Sequence, residues 1–439
     1  MSVLSEQSIF ATMRQNGPFA VQDSISLHSQ FSQGQRDWVH ALRADEAQTS
    51  KYRAIRSQIF HLLQVRRFSD IHILLKDANA RGVHRARAHS LLGNLFNIDN
   101  GSGEIMTKLR EFSLTADAVI DYLRNKVLAS HAVDIEISNE ISATTDPVDL
   151  LLLVFDERYH KKVRFEAKRK LVLMNLAGTI DQQERNADIE ARFTRFVDFL
   201  NDQVWSPRMK RGEHQLAYLL SEHAAEDYAC QKVQVIKPQT ASALELKPNQ
   251  RLTLIKRRLF QAGSREIPVY VSVRKKNPAA KVIKLLRKNE KNPVVAVDDE
   301  IGLMAVLDGR SEVNRFVEQL SDSAAQAGIL MTLEDISDTL TGGRYSAQTT
   351  GSSSDTPMLK FFARLGDTRV EFIIHTNQSY LDYYFRHGVS HDEYEVRRIF
   401  DSGVAEFLFP QDVYQLDMEQ IRQQQMERFR QRDKEPAQP

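Results

Sequence analysis

Apolar residues recur every three or four positions through most of the first 230 residues, with charged residues between them. This is the period of an α-helix that buries one face and exposes the other. The stretch 97–103, which holds two glycines, interrupts the pattern and predicts a loop. We therefore expect residues 1–230 to form a helical domain. Its predicted helices cover 54–67, 105–114, 116–129, 148–176 and 189–204.

Near residue 231 the pattern changes to an alternation of apolar and polar residues, which is typical of β-strands. We expect an α+β fold in which residues 231–412 form one mixed sheet flanked by helices, followed by a polar helix and a frayed tail over 413–439. The predicted strands lie at 233–236, 252–260, 267–274, 294–307, 329–333, 358–365 and 369–376, the helices at 281–288, 311–327 and 416–432, and a mobile loop at 346–357.

The composition is that of a soluble globular protein, because 42% of the 439 residues are hydrophobic and 27% are charged. Lys and Arg number 59 against 58 Asp and Glu, which excludes a generally basic surface but leaves room for a local basic patch. Cys230 is the single cysteine, so an internal disulfide and a cysteine-based zinc site are excluded. The longest aliphatic run, 150–155, is too short to span a bilayer. We expect a cytoplasmic protein with no membrane partner.

The densest group of cations lies between residues 274 and 291, where eight Lys and Arg residues accompany one acid. Arg274 ends a predicted strand and Lys276 lies two residues beyond it, while Lys281 and Lys284 share one face of the following predicted helix. Because converging cations bind polyphosphates, these four are candidate nucleotide-binding residues. A solvated basic helix face is the alternative, and the spacing alone favours it.

Carboxylates interrupt two of the predicted strands. Asp298, Asp299 and Glu300 follow an apolar stretch, where they are unfavourable unless a partner neutralises them. Glu371 lies in the middle of a strand and shares a face with His375. Since Mg²⁺ takes one or two carboxylates together with substrate phosphates, Asp299 and Glu371 are candidate metal ligands, and Glu371 is a candidate general base. The alternatives are a solvated strand end for the first group and a water-facing edge strand for Glu371.

The order of these features resembles the synthetase domain of RelA/SpoT-like alarmone synthetases, a branch of the nucleotidyltransferase-like fold. That family has Arg-x-Lys at the end of its first strand, where this chain has 274–276, and further cations on the next helix. Its Asp-x-x-Gly-x-Arg strand corresponds to 299–304, with Met304 in place of the Arg. Its Val-Glu-x-Gln-x-x-Thr strand corresponds to 370–376, with Ile373 in place of the Gln. The resemblance covers about residues 250–410.

The resemblance implies a Mg²⁺-dependent transferase that binds ATP. The ATP phosphates would lie on Arg274, Lys276 and the helix lysines, with His375 as a further nucleotide-binding candidate. Tyr345 loosely matches the family's guanine-stacking tyrosine, so it would stack on the acceptor base. Pyrophosphate would then pass from ATP to the 3′-hydroxyl of a guanosine nucleotide or of a tRNA.

Two other functions stay open at this point. One is a different nucleotidyltransferase, which would transfer a nucleoside monophosphate. The other is a catalytically degenerate domain that serves as a nucleotide-binding or protein-interaction scaffold, with residues 1–230 recruiting a protein partner. Met304 and Ile373 favour the scaffold, whereas Asp299 and Glu371 favour the enzyme.

Overall fold

The computed structural model describes residues 102–155, 159–288, 299–342 and 356–432, together with scattered residues between 57 and 98 and Val294. Half of the predicted helix 54–67 and most of the predicted loop 346–357 lie outside these residues, as does Tyr345. The chain divides into two compact units. One unit is helical, and the other holds a single β-sheet.

Both units contain α-helices, and none of the described helices is long and apolar enough to cross a membrane. The described α-helices are α1 (Ser102–Tyr122), α2 (Asn139–Ser142), α3 (Pro147–Phe155), α4 (Lys161–Asn186), α5 (Ile189–Phe199), α6 (Pro238–Ala241), α7 (Pro278–Lys288), α8 (Arg310–Gln326), α9 (Asn377–Phe385), α10 (His391–Asp401), α11 (Val404–Leu408), α12 (Gln411–Tyr414) and α13 (Met418–Arg432).

The helical unit is built from the chain up to Asn186 together with Asn277–Val297 and Ile399–Arg422. Its central element is α4, which packs against α1, α3 and α7. A side-chain carbon at Gly178 of α4 would lie only 2.5 Å from the carbonyl oxygen of Phe96, so this close approach requires glycine. The unit therefore owes its packing to segments that are far apart in the sequence.

Two predicted helix boundaries in this unit differ from the structure. The predicted helices 105–114 and 116–129 form one helix, α1, which continues into a π-helical turn over Leu123–Val127. Thr115 does not start a helix, because its hydroxyl donates to the carbonyl of Glu111 at 3.0 Å within α1. The single helix predicted over 148–176 is instead α3 followed by α4.

The second unit holds an eight-stranded mixed sheet with the order β2-β1-β3-β4-β5-β8-β7-β6. The neighbours β5 and β8 are parallel, and the other neighbouring pairs are antiparallel. The strands are β1 (Gln215–His223), β2 (Cys230–Ile236), β3 (Gln250–Ala262), β4 (Arg265–Lys275), β5 (Ile301–Leu307), β6 (Met331–Asp338), β7 (Leu359–Leu365) and β8 (Thr368–Thr376).

The two faces of the sheet have different partners. On one face, Val269, Leu303 and Phe372 belong to a large apolar core that includes Phe196 of α5 and Phe316 of α8. On the opposite face, the next residues along the same strands, Tyr270 of β4 and Val306 of β5 among them, pack with Tyr380 and Leu381 of α9. The predicted alternation along β4 and β8 is therefore confirmed, since successive side chains point to opposite faces.

The boundary between the units differs from the predicted one at residue 230. The sheet unit already includes α5 and β1, both of which were assigned to a helical domain. Strand β1 was missed because Leu219 is buried on one face while Tyr218 and Leu220 on the other are half-buried, so the segment lacks a clear alternation. The predicted hairpin across Gly366-Asp367 is confirmed as β7 and β8, with Leu365 opposite Thr368.

Candidate functional site

An acid–base cluster at the sheet is formed by Arg274, Lys276, Asp299, Lys360 and Glu371. The register of three adjacent strands creates it, because Arg274 of β4 lies opposite Gly302 of β5, which lies opposite Glu371 of β8. Directly opposite residues project from the same face of a sheet. Three of the residues that the sequence predicted for one site, Arg274, Asp299 and Glu371, therefore meet although nearly 100 positions separate the first from the last.

Glu371 is the buried centre of the cluster. This residue lies within strand β8 and is only 5% exposed, which is unusual for a glutamate. The Nζ atom of Lys360, on the neighbouring β7, lies 2.9 Å from Oε1 of Glu371, and Nη2 of Arg274 lies 3.6 Å from Oε2. Two cations from opposite sides thus neutralise a carboxylate that has lost its contact with water.

A second ion pair lies beside the first. Asp299 occupies a turn just before β5, and its Oδ2 atom lies 2.5 Å from Nζ of Lys276. The backbone nitrogen of Lys276 donates to the carbonyl of Glu300 at 3.1 Å, which holds the end of β4 against this turn. The expected strand over 294–307 was too long at its start, and the turn explains how Asp299 avoids the interior of an apolar strand.

The pKa of Glu371 shows that the cluster acts as one electrostatic unit. Burial alone would raise this pKa, but the positive charges of Lys360 and Lys276 lower it below the ordinary value of 4.5. The negative charge of Asp299 opposes them, so the two carboxylates are close enough to influence each other. Glu371 is therefore ionised at neutral pH.

Gly302 lets Arg274 reach across β5 to Glu371. A side-chain carbon at Gly302 would lie 3.3 Å from Nε of Arg274, which is tighter than an ordinary contact. Because Gly302 has no side chain, the side chain of Arg274 on β4 can pass over β5 to reach Glu371 on β8. This glycine belongs to the Asp-x-x-Gly pattern that the sequence singled out, and the structure gives that pattern a physical reason.

Apolar and aromatic side chains border the cluster on the same face. Ile373, two residues beyond Glu371, packs with Met358 and with Tyr383 of α9. Burial raises the pKa of Tyr383, and the charge of Arg274 opposes that rise, so the hydroxyl lies within electrostatic reach of the cluster. The position where the resembled family has Gln is thus part of an apolar wall.

Two other predicted site residues, Lys281 and His375, are buried and have partners of their own. Lys281 was expected on a solvent-facing cationic surface of α7, but its side chain is fully buried and forms an ion pair with Glu184 within the helical unit. Lys284 lies on the same helix and is half-buried. His375 is completely buried, its Nδ1 lies 3.2 Å from Oγ of Ser379, and burial lowers its pKa to about 3. Neither Lys281 nor His375 presents a group to a ligand in this structure.

Lys360 is the member of the cluster that sequence reasoning missed. Its strand was predicted, but a single lysine between apolar residues is ordinary for a strand with one wet face. Lys360 lies opposite Ile373, and Ile373 shares a face of β8 with Glu371 because the two are two residues apart. The two-residue period of the strands therefore contained the information that Lys360 and Glu371 share a face. Pairing two predicted strands in register would have found it.

The carboxylates of the cluster suit a hard divalent cation that is shared with a ligand. No group of three or more His, Cys, Asp or Glu side chains in the described part of the chain could hold a metal ion. Asp299 and Glu371 supply two carboxylates, which is the number Mg²⁺ takes when phosphates complete its coordination. The donor set therefore fits a cation that arrives with a phosphate ligand and does not fit a cation bound by protein alone.

Comparison with known proteins adds no relative. No family model, no curated protein and no solved structure matches the chain. The function therefore has to be argued from the geometry of the cluster.

Proposed function

We propose that the acid–base cluster binds ATP together with Mg²⁺ and transfers pyrophosphate to the 3′-hydroxyl of a guanosine nucleotide or of a tRNA. The observation that supports the proposal is that two ion-paired couples lie together: Arg274 with Glu371 on one face of the sheet, and Lys276 with Asp299 between the end of β4 and the start of β5. The resemblance to RelA/SpoT-like synthetases names the reaction, and the cluster supplies groups that suit it.

The charge balance of the cluster favours a ligand that brings both signs. The triphosphate of ATP offers an anion to Arg274, Lys276 and Lys360, which pair with carboxylates in the free protein. Asp299 and Glu371 are the residues that would hold Mg²⁺, which neutralises charge on the phosphates when it is bound. Binding thus exchanges internal ion pairs for pairs with the ligand, and no buried charge is left alone.

The transfer itself needs positioning more than covalent catalysis. The acceptor 3′-oxygen bonds to the β-phosphorus of ATP, the bond from that phosphorus to the α,β-bridging oxygen breaks, and AMP leaves. Arg274 is about half exposed and lies beside the buried carboxylate, so it is placed to stabilise the charge that develops on the phosphates. Glu371 is ionised and accepts the proton of the attacking hydroxyl.

The second candidate is a scaffold that binds nucleotides but transfers no phosphate group, and the packing of Ile373 favours it. Ile373 packs into an apolar wall with Met358 and Tyr383, where the resembled family has a polar Gln. An apolar residue there removes one hydrogen-bonding group from the acceptor side of the site. In that case the cluster would still bind the phosphates of a nucleotide through its cations.

The two candidates separate in one experiment. The purified full chain is incubated with Mg²⁺ and ATP labelled in its β- and γ-phosphates, together with GDP, GTP or tRNA, and ATP binding is measured in parallel. Glu371→Gln should bind ATP but give no labelled product, whereas Glu318→Gln, an exposed and unpaired glutamate on α8, should match the unaltered chain. Binding without transfer in the unaltered chain identifies the scaffold.

The absence of both ATP binding and transfer in a folded protein would refute both candidates. Transfer of a nucleoside monophosphate would release the labelled β- and γ-phosphates as free pyrophosphate and leave the acceptor unlabelled. The mass of the acceptor is therefore measured whether or not it carries label, and it decides between pyrophosphate and a nucleoside monophosphate. A monophosphate adduct would replace the proposed reaction with that of a different nucleotidyltransferase.

A further inference from the structure

The helical unit contains a cleft of about 1020 Å³, lined by polar and apolar residues, that the proposed function does not use. One wall is the C-terminal half of α1, and the other is the segment 136–147. Three residues of α4, Glu166, Arg169 and Lys170, complete the lining. The volume lies at the upper limit of the range of about 300–1,000 Å³ that is usual for small-molecule sites.

The lining residues of α4 are three charged side chains that are almost fully buried. Nζ of Lys170 lies 2.8 Å from Oδ1 of Asp117, so this charge is neutralised. Glu166 accepts hydrogen bonds from the backbone nitrogen of Ser138 at 2.8 Å and from the hydroxyl of Tyr414 at 2.7 Å. These two charges have their partners inside the unit.

Arg169 differs from its neighbours because it lacks an anionic partner. It is 6% exposed, its guanidinium lies 4.7 Å from the centroid of the Phe409 ring, and Nη1 donates to the carbonyl of Leu408 at 2.6 Å. Its Nε atom is buried without a hydrogen-bond partner, and none of the described carboxylates forms an ion pair with it. The buried carboxylate of Glu166 is linked to Arg169 only through the hydroxyl of Tyr414, with which both side chains interact. Arg169 thus keeps unused hydrogen-bonding capacity, which suits the carboxylate of a ligand.

Carboxylates are available at the mouth of the same cleft. Asp121 and Glu136 line it, both are exposed, and neither makes an ion pair or hydrogen bond within the described residues. Asp121 lies next to the π-helical turn over Leu123–Val127, a distortion that often accompanies a binding site in a helix. Two arginines, Arg110 and Arg124, line the same cleft, so it offers a buried cation and groups of both signs nearer its mouth.

We infer that the cleft binds a small zwitterionic ligand, an amino acid or a short peptide, with its carboxylate on Arg169 and its ammonium group on Asp121 and Glu136. A lining that carries both signs of charge suits a ligand that also carries both, because each charged group of the ligand then meets an opposite charge. The hydroxyls of Ser142, Thr144 and Thr145 along one wall offer hydrogen bonds to the remaining polar groups of such a ligand. This site is independent of the acid–base cluster.

The test measures binding to the full chain by isothermal titration calorimetry. Each common L-amino acid and glycylglycine is titrated singly at about 5 mM, with acetate and methylamine as probes of single charge. At least one zwitterion should bind, and both single-charge probes should bind at least about tenfold more weakly. No binding by any zwitterion, or equal binding by acetate, would overturn the inference.

Substitutions then locate the site. Asp121→Asn and Glu136→Gln change exposed side chains and are expected to fold, and each should weaken the binding zwitterion by about tenfold. Glu140→Gln, an exposed change in the same region that does not line the cleft, should leave the affinity unaltered. Arg169→Met tests the buried end, and a folded protein that retained full affinity in all three cleft variants would place the ligand elsewhere and refute the assignment.

Discussion

Replacing Lys360 with methionine should destabilise the sheet unit, because Glu371 would lose its nearer cation while remaining buried. The side chains of Lys360 and Glu371 are only 12% and 6% exposed, and their charges lie 2.9 Å apart. Removing one member of a buried pair typically costs about 3–5 kcal/mol. We expect the lower end, about 3 kcal/mol, since Arg274 remains 3.6 Å from Glu371 and keeps part of the neutralisation.

Urea unfolding measures this loss through the fluorescence of Trp205, which is buried in the core of the sheet unit. Trp38, the second tryptophan of the chain, is replaced by Phe in all variants so that the signal reports one unit. Glu371→Gln and the double variant complete a cycle, and the double variant should lose less stability than the sum of the two single losses by about 1 kcal/mol or more.

The dependence on pH gives an independent check of the same pair. Because the folded pKa of Glu371 lies below 4.5, its stabilisation is fully present above pH 4.5 and is lost as the pH falls through the folded pKa. In Lys360→Met that pKa rises, so the loss should begin at higher pH. A change below about 1 kcal/mol with additive energies would refute the view that Glu371 depends on Lys360.

Three further changes test other parts of the sheet unit. Gly302→Val should push Arg274 away from Glu371 and weaken ATP binding by about tenfold or more, and Gly302→Ala, which adds a smaller side chain, should weaken it less. If both variants bind ATP as tightly as the unaltered chain, Arg274 does not depend on the space above Gly302. Burial lowers the pKa of His223 below 6.5, so the neutral form is favoured and stability should fall as the pH drops below 6.5; His223→Gln should abolish this dependence in acid unfolding. Burial raises the pKa of Cys230 to about 12, so a thiol reagent at pH 8 should label the chain only at the rate of opening, and rapid labelling of folded protein would show the thiol to be accessible.

Elements with clear periodicity were predictable from the sequence, and those shaped by burial on both sides were not. The β7–β8 hairpin followed from alternation on either side of Gly366-Asp367, a local signal. Strand β1 carries apolar residues on both faces, so its period could not be distinguished from that of a helix. The division of the chain into units depends on long-range packing, which no local pattern contains.

The sequence predicted those site residues whose positions follow from the two-residue period of a strand. It did not predict those whose surroundings depend on tertiary packing. Arg274 and Glu371 meet because β4, β5 and β8 are neighbours, and their positions on one face followed from the two-residue period. Lys281 was misplaced because helical spacing identifies a shared face but not whether that face meets water or a buried Glu184. Lys360 required the pairing of β7 with β8 in register, which becomes certain only in three dimensions.

The interleaving of the two units along the chain has a consequence for how the protein is made. The helical unit consists of three segments, which end at Asn186, Val297 and Arg422. The sheet unit takes β1 to β4 from before the second segment and β5 to β8 from after it. Domains that follow one another in sequence can fold in turn as they leave the ribosome. Here neither unit is complete until the last quarter of the chain has been synthesised, so nascent chains expose unfinished cores for most of translation. Fragments cut at a single point between residues 187 and 398 would each lack part of both units, and expression of either unit alone requires joining separate segments.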